Sequence, residues 1–433
     1  MNVITQDAGP CRKELSVQVP PADIAAEYDE VLKAYVKVAR LPGFRKGKAP
    51  AEIVEKRYLR EIAEDVQQRA VPRCYRDALR QESIEPVAIV GVRDVELARD
   101  SGLRFTLLVD VAPEFKLPKY RKIPAKAEKA EVSDAAVDEQ VEALRRRLAR
   151  FEDVTDRAVC KGDLVQVDFE GSMEGRPVSD LAPEAQGLGK AENFWMLLDE
   201  PEMLPGANEG LVGAVIGGER ALDLTFPDDY RIAALAGRTA AYRFQVKAVR
   251  ERIVPDVDEA FLKQVGVESE AALRERVRAE LLEAAEQRRK AQLHDEIARF
   301  LLEKTKLDLP QAVVEQETRT AAQHIVRDAV QRGATQEQLE AQSAAIVGEA
   351  QRSSQERVKL TFILNRIAVE EDIQVADEDV EARIEAMAQQ HRMTPGQLRA
   401  EIAAHDGLDR LRGDLRGEKT MDFLLEHAKV KDS

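Results

Sequence analysis

The chain has 433 residues, of which 44% are hydrophobic, 33% charged and only 5% aromatic, and its net charge is −15. That length allows about three domains, and the balance suits a helix-rich, strongly solvated protein with enough apolar mass for several cores. The negative charge excludes a general nucleic-acid binder, so any RNA contact must come from a local basic island.

Met1 to Leu15 holds no apolar stretch and no small-residue cleavage site, so no signal peptide is expected. The longest apolar runs, such as 211–216, are too short to span a bilayer. Cys11, Cys74 and Cys160 are scattered and form no CxxC pair. A reducing cytoplasm fits that usage, and a disulfide framework does not.

Alternation of Leu15, Val17 and Val19 predicts a strand over 11–20. Helices are predicted over 22–39 and 50–82; in the first, Ile24, Tyr28, Val31, Leu32, Tyr35 and Val38 share one face. Two alternating runs follow, 87–97 and 103–111, joined by a turn at 99–102. Residues 1–112 thus read as a small α+β domain with a three-stranded sheet. Pro113, Pro118 and Pro124 mark an extended linker rich in Lys and Arg. A helix follows from Ser133, with Val137, Val141, Leu144 and Leu148 on one face.

Glycine and proline become frequent over 151–250, and the runs 163–170, 219–226 and 240–249 alternate like strands. From 255 to the end, helical periodicity dominates, with stripes at Leu273, Val277 and Leu281 and at Leu293, Ile297, Phe300 and Leu301. Thr394-Pro395 with Gln397 predicts a helix start with a capping box. The fold class is therefore α+β multidomain: a docking-sized α+β domain (1–112), a linker and helix packing with the C-terminal domain (113–150), an antiparallel β domain (151–250) and an all-α domain (251–433).

Residues 31–51 hold six Lys or Arg and no Asp or Glu. At the centre stands Gly43-Phe44-Arg45-Lys46-Gly47-Lys48-Ala49-Pro50, a tight loop between two helices. By pattern alone, Phe44 either presents itself beside three cations or tucks back into the core. The run is similar to the ribosome-docking signature G-F-R-x-x-x-x-P of the trigger factor family, met at Gly43, Phe44, Arg45 and Pro50. Arg45, Lys46 and Lys48 supply the cations. The resemblance implies docking on the large ribosomal subunit beside the exit tunnel, on protein and rRNA, and contact with nascent and unfolded chains. It leaves room for a homodimer off the ribosome and implies no membrane.

Lys161-Gly162-Asp163 with Val167-Asp168-Phe169-Glu170-Gly171 resembles the opening of FKBP-type prolyl isomerase domains. Leu204-Pro205-Gly206 with Glu209-Gly210 resembles their central helix, and 226–230 their late loop. The resemblance implies an FKBP-like antiparallel β domain whose prolyl pocket is lined by Phe169, Phe194, Leu204, Tyr230 and Phe244. Without it, each of these residues reads as an ordinary core residue. The chain departs from the family in three ways: Ala207 stands where an aromatic floors the pocket, Asp199 replaces a glycine, and the stretch 181–189 is longer than usual. Trp195 is the candidate to refill the floor. The resemblance therefore implies a chaperone with a reduced isomerase, and as the alternative an isomerase with targeting flanks. No dinucleotide, Walker-type, HExxH or zinc spacing occurs, so no cofactor and no metal are expected.

Overall fold

The structure, a computed structural model, describes every residue except 43, 46, 100, 183–185, 231, 233, 405, 406 and 433. The chain forms two compact units, residues 1–129 with 289–433 and residues 130–288.

In the first unit the chain opens with β1 (Asn2–Gly9) and β2 (Arg12–Val19), continues through α1 (Pro21–Val38), α2 (Ala51–Arg57) and α3 (Leu59–Gln81), and returns in β3 (Pro86–Ala98) and β4 (Gly102–Val111). The sheet has four antiparallel strands in the order β1-β2-β4-β3, not three. Leu15, Val17 and Val19 face Leu103, Phe105, Leu107 and Val109 in a dry core closed by Ile24, Ala70, Cys74 and Ala78. The unexpected β1 is an edge strand with almost no buried face, and Ile4 on it is 55% exposed. The predicted helix over 50–82 breaks at Tyr58, whose backbone leaves helical geometry. Its ring packs on Tyr35, 5.8 Å between centroids.

The segment after β4 is more than a spacer. Tyr120, Ile123, Ala125 and Ala127 are buried, and residues 124–127 form β5 (Pro124–Ala127).

The second unit opens with α4 (Asp134–Arg147), begun by a Ser133 cap. The β domain follows: β6 (Arg150–Val154), β7 (Leu164–Met173), β8 (Arg176–Pro177), the short α5 (Val178–Leu181) and α6 (Gln186–Gly189), β9 (Lys190–Leu197), α7 (Ala207–Leu211), β10 (Glu219–Thr225) and β11 (Thr239–Ile253). β11 is the hub, pairing antiparallel with β10, β6 and β7, and β7 in turn pairs with β9 and β8. The predicted runs 163–170, 219–226 and 240–249 fall on β7, β10 and β11. β9 falls outside the predicted runs, although Phe194 and Met196 alternate there. α8 (Glu259–Val265) and the first half of α9 (Glu270–Lys304) cover α4, with Val137, Val141, Phe261, Leu273 and Val277 buried together.

The remainder of the first unit is helical: α10 (Gln311–Gln331), α11 (Gln336–Ala341), α12 (Ser343–Glu370), α13 (Asp377–His391), α14 (Pro395–Ala403) and α15 (Gly407–Glu426). Leu293, Ile297 and Leu301 meet Ile363, Ile367 and Leu424, and the 120–127 segment joins that core. The capping box forms at Thr394 and Gln397. The C-terminal part is not wholly helical, because β12 (Lys429–Asp432) pairs in parallel with β5. Among the described residues no helix is long and apolar enough to cross a membrane.

Candidate functional site

The basic tip joins α1 to α2. Two tight turns shape it: Phe44 N–H donates to Leu41 O at 3.1 Å, and Lys48 N–H donates to Arg45 O at 2.9 Å. Pro50 precedes α2 with φ −58°, pre-set for a helix start. Beneath the turns, Ala39, Ala49 and Val54 form a small buried cluster backed by Tyr35, Val36, Leu41 and Tyr58. This cluster anchors both ends of the tip. Phe44 stays outside it and is 41% exposed. Arg45, Lys48 and Pro50 are exposed as well. Gly43 and Lys46, the other residues of the motif, lie outside the described residues.

In the β domain, strand register brings the aromatic residues together. Phe169 on β7 is the direct partner of Phe244 on β11, and their rings lie 5.6 Å apart. Phe194 on β9 meets Phe169 edge-on at 6.0 Å. Tyr230, in the loop after β10, packs on Phe226 at 4.8 Å. Phe169, Leu204 and Phe244 are buried, while Phe194 and Tyr230 are half-buried against the same core. Three of the five expected pocket residues are thus buried in this core, and the other two are half-buried against it.

Tyr242 was not anticipated. Its ring packs against both Phe169 and Phe244, at 6.2 and 5.9 Å, and completes a triangle with them. Its hydroxyl donates to Leu188 O at 2.9 Å, and burial pushes its pKa up to about 12. The ring explains a motif glycine: a Cβ at Gly171 would stand 2.4 Å from it. A Cβ at Gly210 would likewise stand 2.4 Å from Leu222. Alternation in the sequence marks Tyr242 as inward-facing but does not distinguish it from its neighbours.

Ala207 is fully buried among Leu204, Leu211 and Leu224. Trp195 does not refill the position. Phe194 and Met196 pack on the core, so Trp195 between them faces the other side of the sheet. There Arg250 covers its ring at 4.6 Å.

Charged residues around the aromatic core are tied to fixed partners. Asp168 accepts from Lys247 at 2.5 Å and from Asn193 N–H at 2.6 Å, which holds its carboxyl below the usual range. Asp199 accepts from Arg252 at 2.7 Å and from Glu200 N–H at 3.0 Å, and its carbonyl accepts from Asn208 at 3.0 Å. The Arg252 contact lowers its pKa too. The departure at Asp199 therefore adds an ion pair that braces the approach to α7. Among the described residues no group of His, Cys, Asp and Glu has metal-ligand geometry.

Comparison with known proteins bears on the whole chain. Residues 1–144 match the family described as bacterial trigger factor protein, and residues 271–426 match its C-terminus. Residues 155–249 match FKBP-type peptidyl-prolyl cis-trans isomerase. The trigger factor of Opitutus terrae is 31% identical, covering 99% of this chain and 98% of its own length. That of Thioalkalivibrio sulfidiphilus is 32% identical, covering 100% and 96%. A structure solved in work on promiscuous substrate recognition in folding and assembly activities of the trigger factor chaperone aligns over 98% of this chain and 99% of its own. Its TM-score is 0.53 at 21% identity, a likeness of fold. Matched end to end by relatives above 30% identity, and with its FKBP-type domain between the two halves of the family pattern, the chain belongs to the trigger factor family of chaperones.

Proposed function

We propose that the protein is a ribosome-associated chaperone of the cytoplasm. It docks through Gly43, Phe44, Arg45, Lys46, Lys48 and Pro50 and holds nascent chains on its helical surfaces. The observation that carries this reading is Phe44, 41% exposed in an acid-free basic tip whose ends are pinned by a buried cluster. An aromatic held out of its own core beside cations suits a surface that is part protein and part phosphate. The partners on this reading are the large ribosomal subunit near the exit tunnel, unfolded polypeptides and, off the ribosome, a second copy of the chain.

The FKBP-type domain acts as a weak prolyl isomerase. A prolyl amide is held planar by resonance, with a barrier of about 18–20 kcal/mol. Twisting it reduces its polarity, so a dry wall of Phe169, Phe194, Leu204, Tyr230 and Phe244 favours the twisted form without an acid or base. With Ala207 the floor lacks an aromatic face worth about 150–250 Å² of apolar contact. That loss makes the alternative, an isomerase with targeting flanks, the weaker reading.

Ribosome co-sedimentation tests the docking assignment. Phe44→Ala, Arg45→Ala and Lys46→Ala together should abolish pelleting, and wild-type binding should weaken steeply with salt. Unchanged pelleting of the triple variant contradicts the assignment. On a short prolyl peptide the wild type should turn over well below a strong FKBP-type enzyme; equal rates would contradict the reading of the floor.

A further inference from the structure

The basic segment 116–129 is not absorbed by the docking tip. Its apolar residues Tyr120, Ile123, Ala125 and Ala127 are buried, while Lys116, Lys119, Lys122 and Lys126 are exposed. The chain's last strand adds to this row. In the parallel pair of β5 and β12, Lys431 stands opposite Lys126, and Lys429 lies two residues before Lys431. Side chains alternate along a strand, so Lys126, Lys429 and Lys431 share one face, turned away from the core that takes Ala125 and Ala127. Neighbouring strands lie about 4.8 Å apart and alternate residues about 6.6 Å apart, so the three stems rise from one small triangle. Lys122 adjoins it, because its N–H donates to His427 O and Lys429 N–H donates to Ile123 O, both at 2.8 Å.

Like charges directly opposite across strands disfavour the pairing. In a chain of net charge −15 such crowding should attract carboxylates. Yet among the described residues none of Lys122, Lys126, Lys429 and Lys431 has an ion-pair partner. Asp432 is engaged by Arg289 at 2.5 Å, which leaves the exposed Glu128 as the neighbouring acid along β5.

We infer that this lysine face is a second RNA-binding surface that takes the phosphate backbone without reading sequence. Ammonium groups on flexible stems suit phosphates as point charges, and their spacing lets one strand of phosphates meet several at once. The choice of RNA over another polyanion rests on the docking reading, which sets the protein on an RNA-rich particle.

The test measures binding of the full chain to purified ribosomes and, separately, to a short fluorescent poly(U) strand, across a salt series. Lys126→Gln, Lys429→Gln and Lys431→Gln together should weaken ribosome binding roughly tenfold near 0.1 M salt. They should also make the log–log salt slope shallower by about 2–3, close to one per lysine removed. Poly(U) binding should be lost, and Arg at the same three positions should restore both. Thermal melting checks that each variant stays folded. Wild-type affinity and slope in the Gln variant overturn the proposal. So does a variant that loses binding to phosphatidylglycerol vesicles while holding poly(U) unchanged, since the partner is then a membrane. Wild type that ignores ribosomes but holds poly(U) through these lysines would defeat the docking reading and leave the RNA surface standing.

Discussion

Asp163 shows how a short motif becomes a structural joint. It is 3% exposed. Its carboxylate accepts from Arg157 at 2.6 and 2.9 Å and from Cys160 N–H at 2.8 Å. Burial raises its pKa, but the Arg157 and Cys160 hydrogen bonds outweigh burial and leave it lowered. A carboxyl with a depressed folded pKa contributes stability that is present above its unfolded pKa of about 4 and lost as pH falls through the folded value. Asp163→Asn should therefore cost roughly 2–3 kcal/mol at pH 7, and its gap to wild type should begin to narrow as pH falls below about 4. Urea unfolding over a pH series reads this, and an equal gap at pH 3 and pH 7 would contradict it. Ala207 makes the opposite point, since its burial is visible only in the structure. Ala207→Phe must push Leu204, Leu211 or Leu224 aside, so it should lower stability by about 1–3 kcal/mol. A melting temperature at or above wild type would mean that the core has room there. The motif positions Asp163, Gly171 and Gly210 were legible because their neighbours in sequence repeat a known pattern. The side on which Trp195 lies was not, because it depends on how β9 registers against β7.

At the scale of elements, buried alternation was readable and edges were not. β2 and β4 announced themselves through one dry face. β1 buries little and gave no such signal. The break at Tyr58 follows from its packing against Tyr35, a contact 23 residues away in sequence that helical periodicity does not encode. The segment 113–129 looked extended because prolines punctuate it, and its folded state depends on helices and a strand from the far end of the chain. The tip allows two contrasting expectations. Phe44 and Arg45 are exposed, so the triple alanine variant that includes them should change stability by no more than about 0.5 kcal/mol. Val54 is fully buried beneath the tip, so Val54→Ala should cost roughly 1–3 kcal/mol. Thermal melts of the two variants side by side decide this. A large loss in the tip variant would mean that Phe44 serves the fold.

At the scale of the whole molecule, the β domain is inserted between segments that already meet. Arg150 at the start of β6 and Ile253 at the end of β11 are register partners, so their backbones lie about 5 Å apart. Just outside them, Arg145 donates to Pro255 O at 2.8 Å and pairs with Asp256 at 3.0 Å. α4, α8 and α9 share a core that takes nothing from the β domain's own cluster. Such an insert can be removed when its ends are close. Deleting 151–252 and joining Arg150 to Ile253 through a short Gly/Ser linker should leave the helices folded and remove the prolyl isomerase signal. The measurement that bears most directly on the chaperone reading is suppression of aggregation of an unfolded client by this excised chain, at equal molar dose to wild type. Client binding that rests on the helical surfaces should keep suppression close to wild type. Suppression lost while circular dichroism shows the helices intact would place the client site in the β domain and contradict the account.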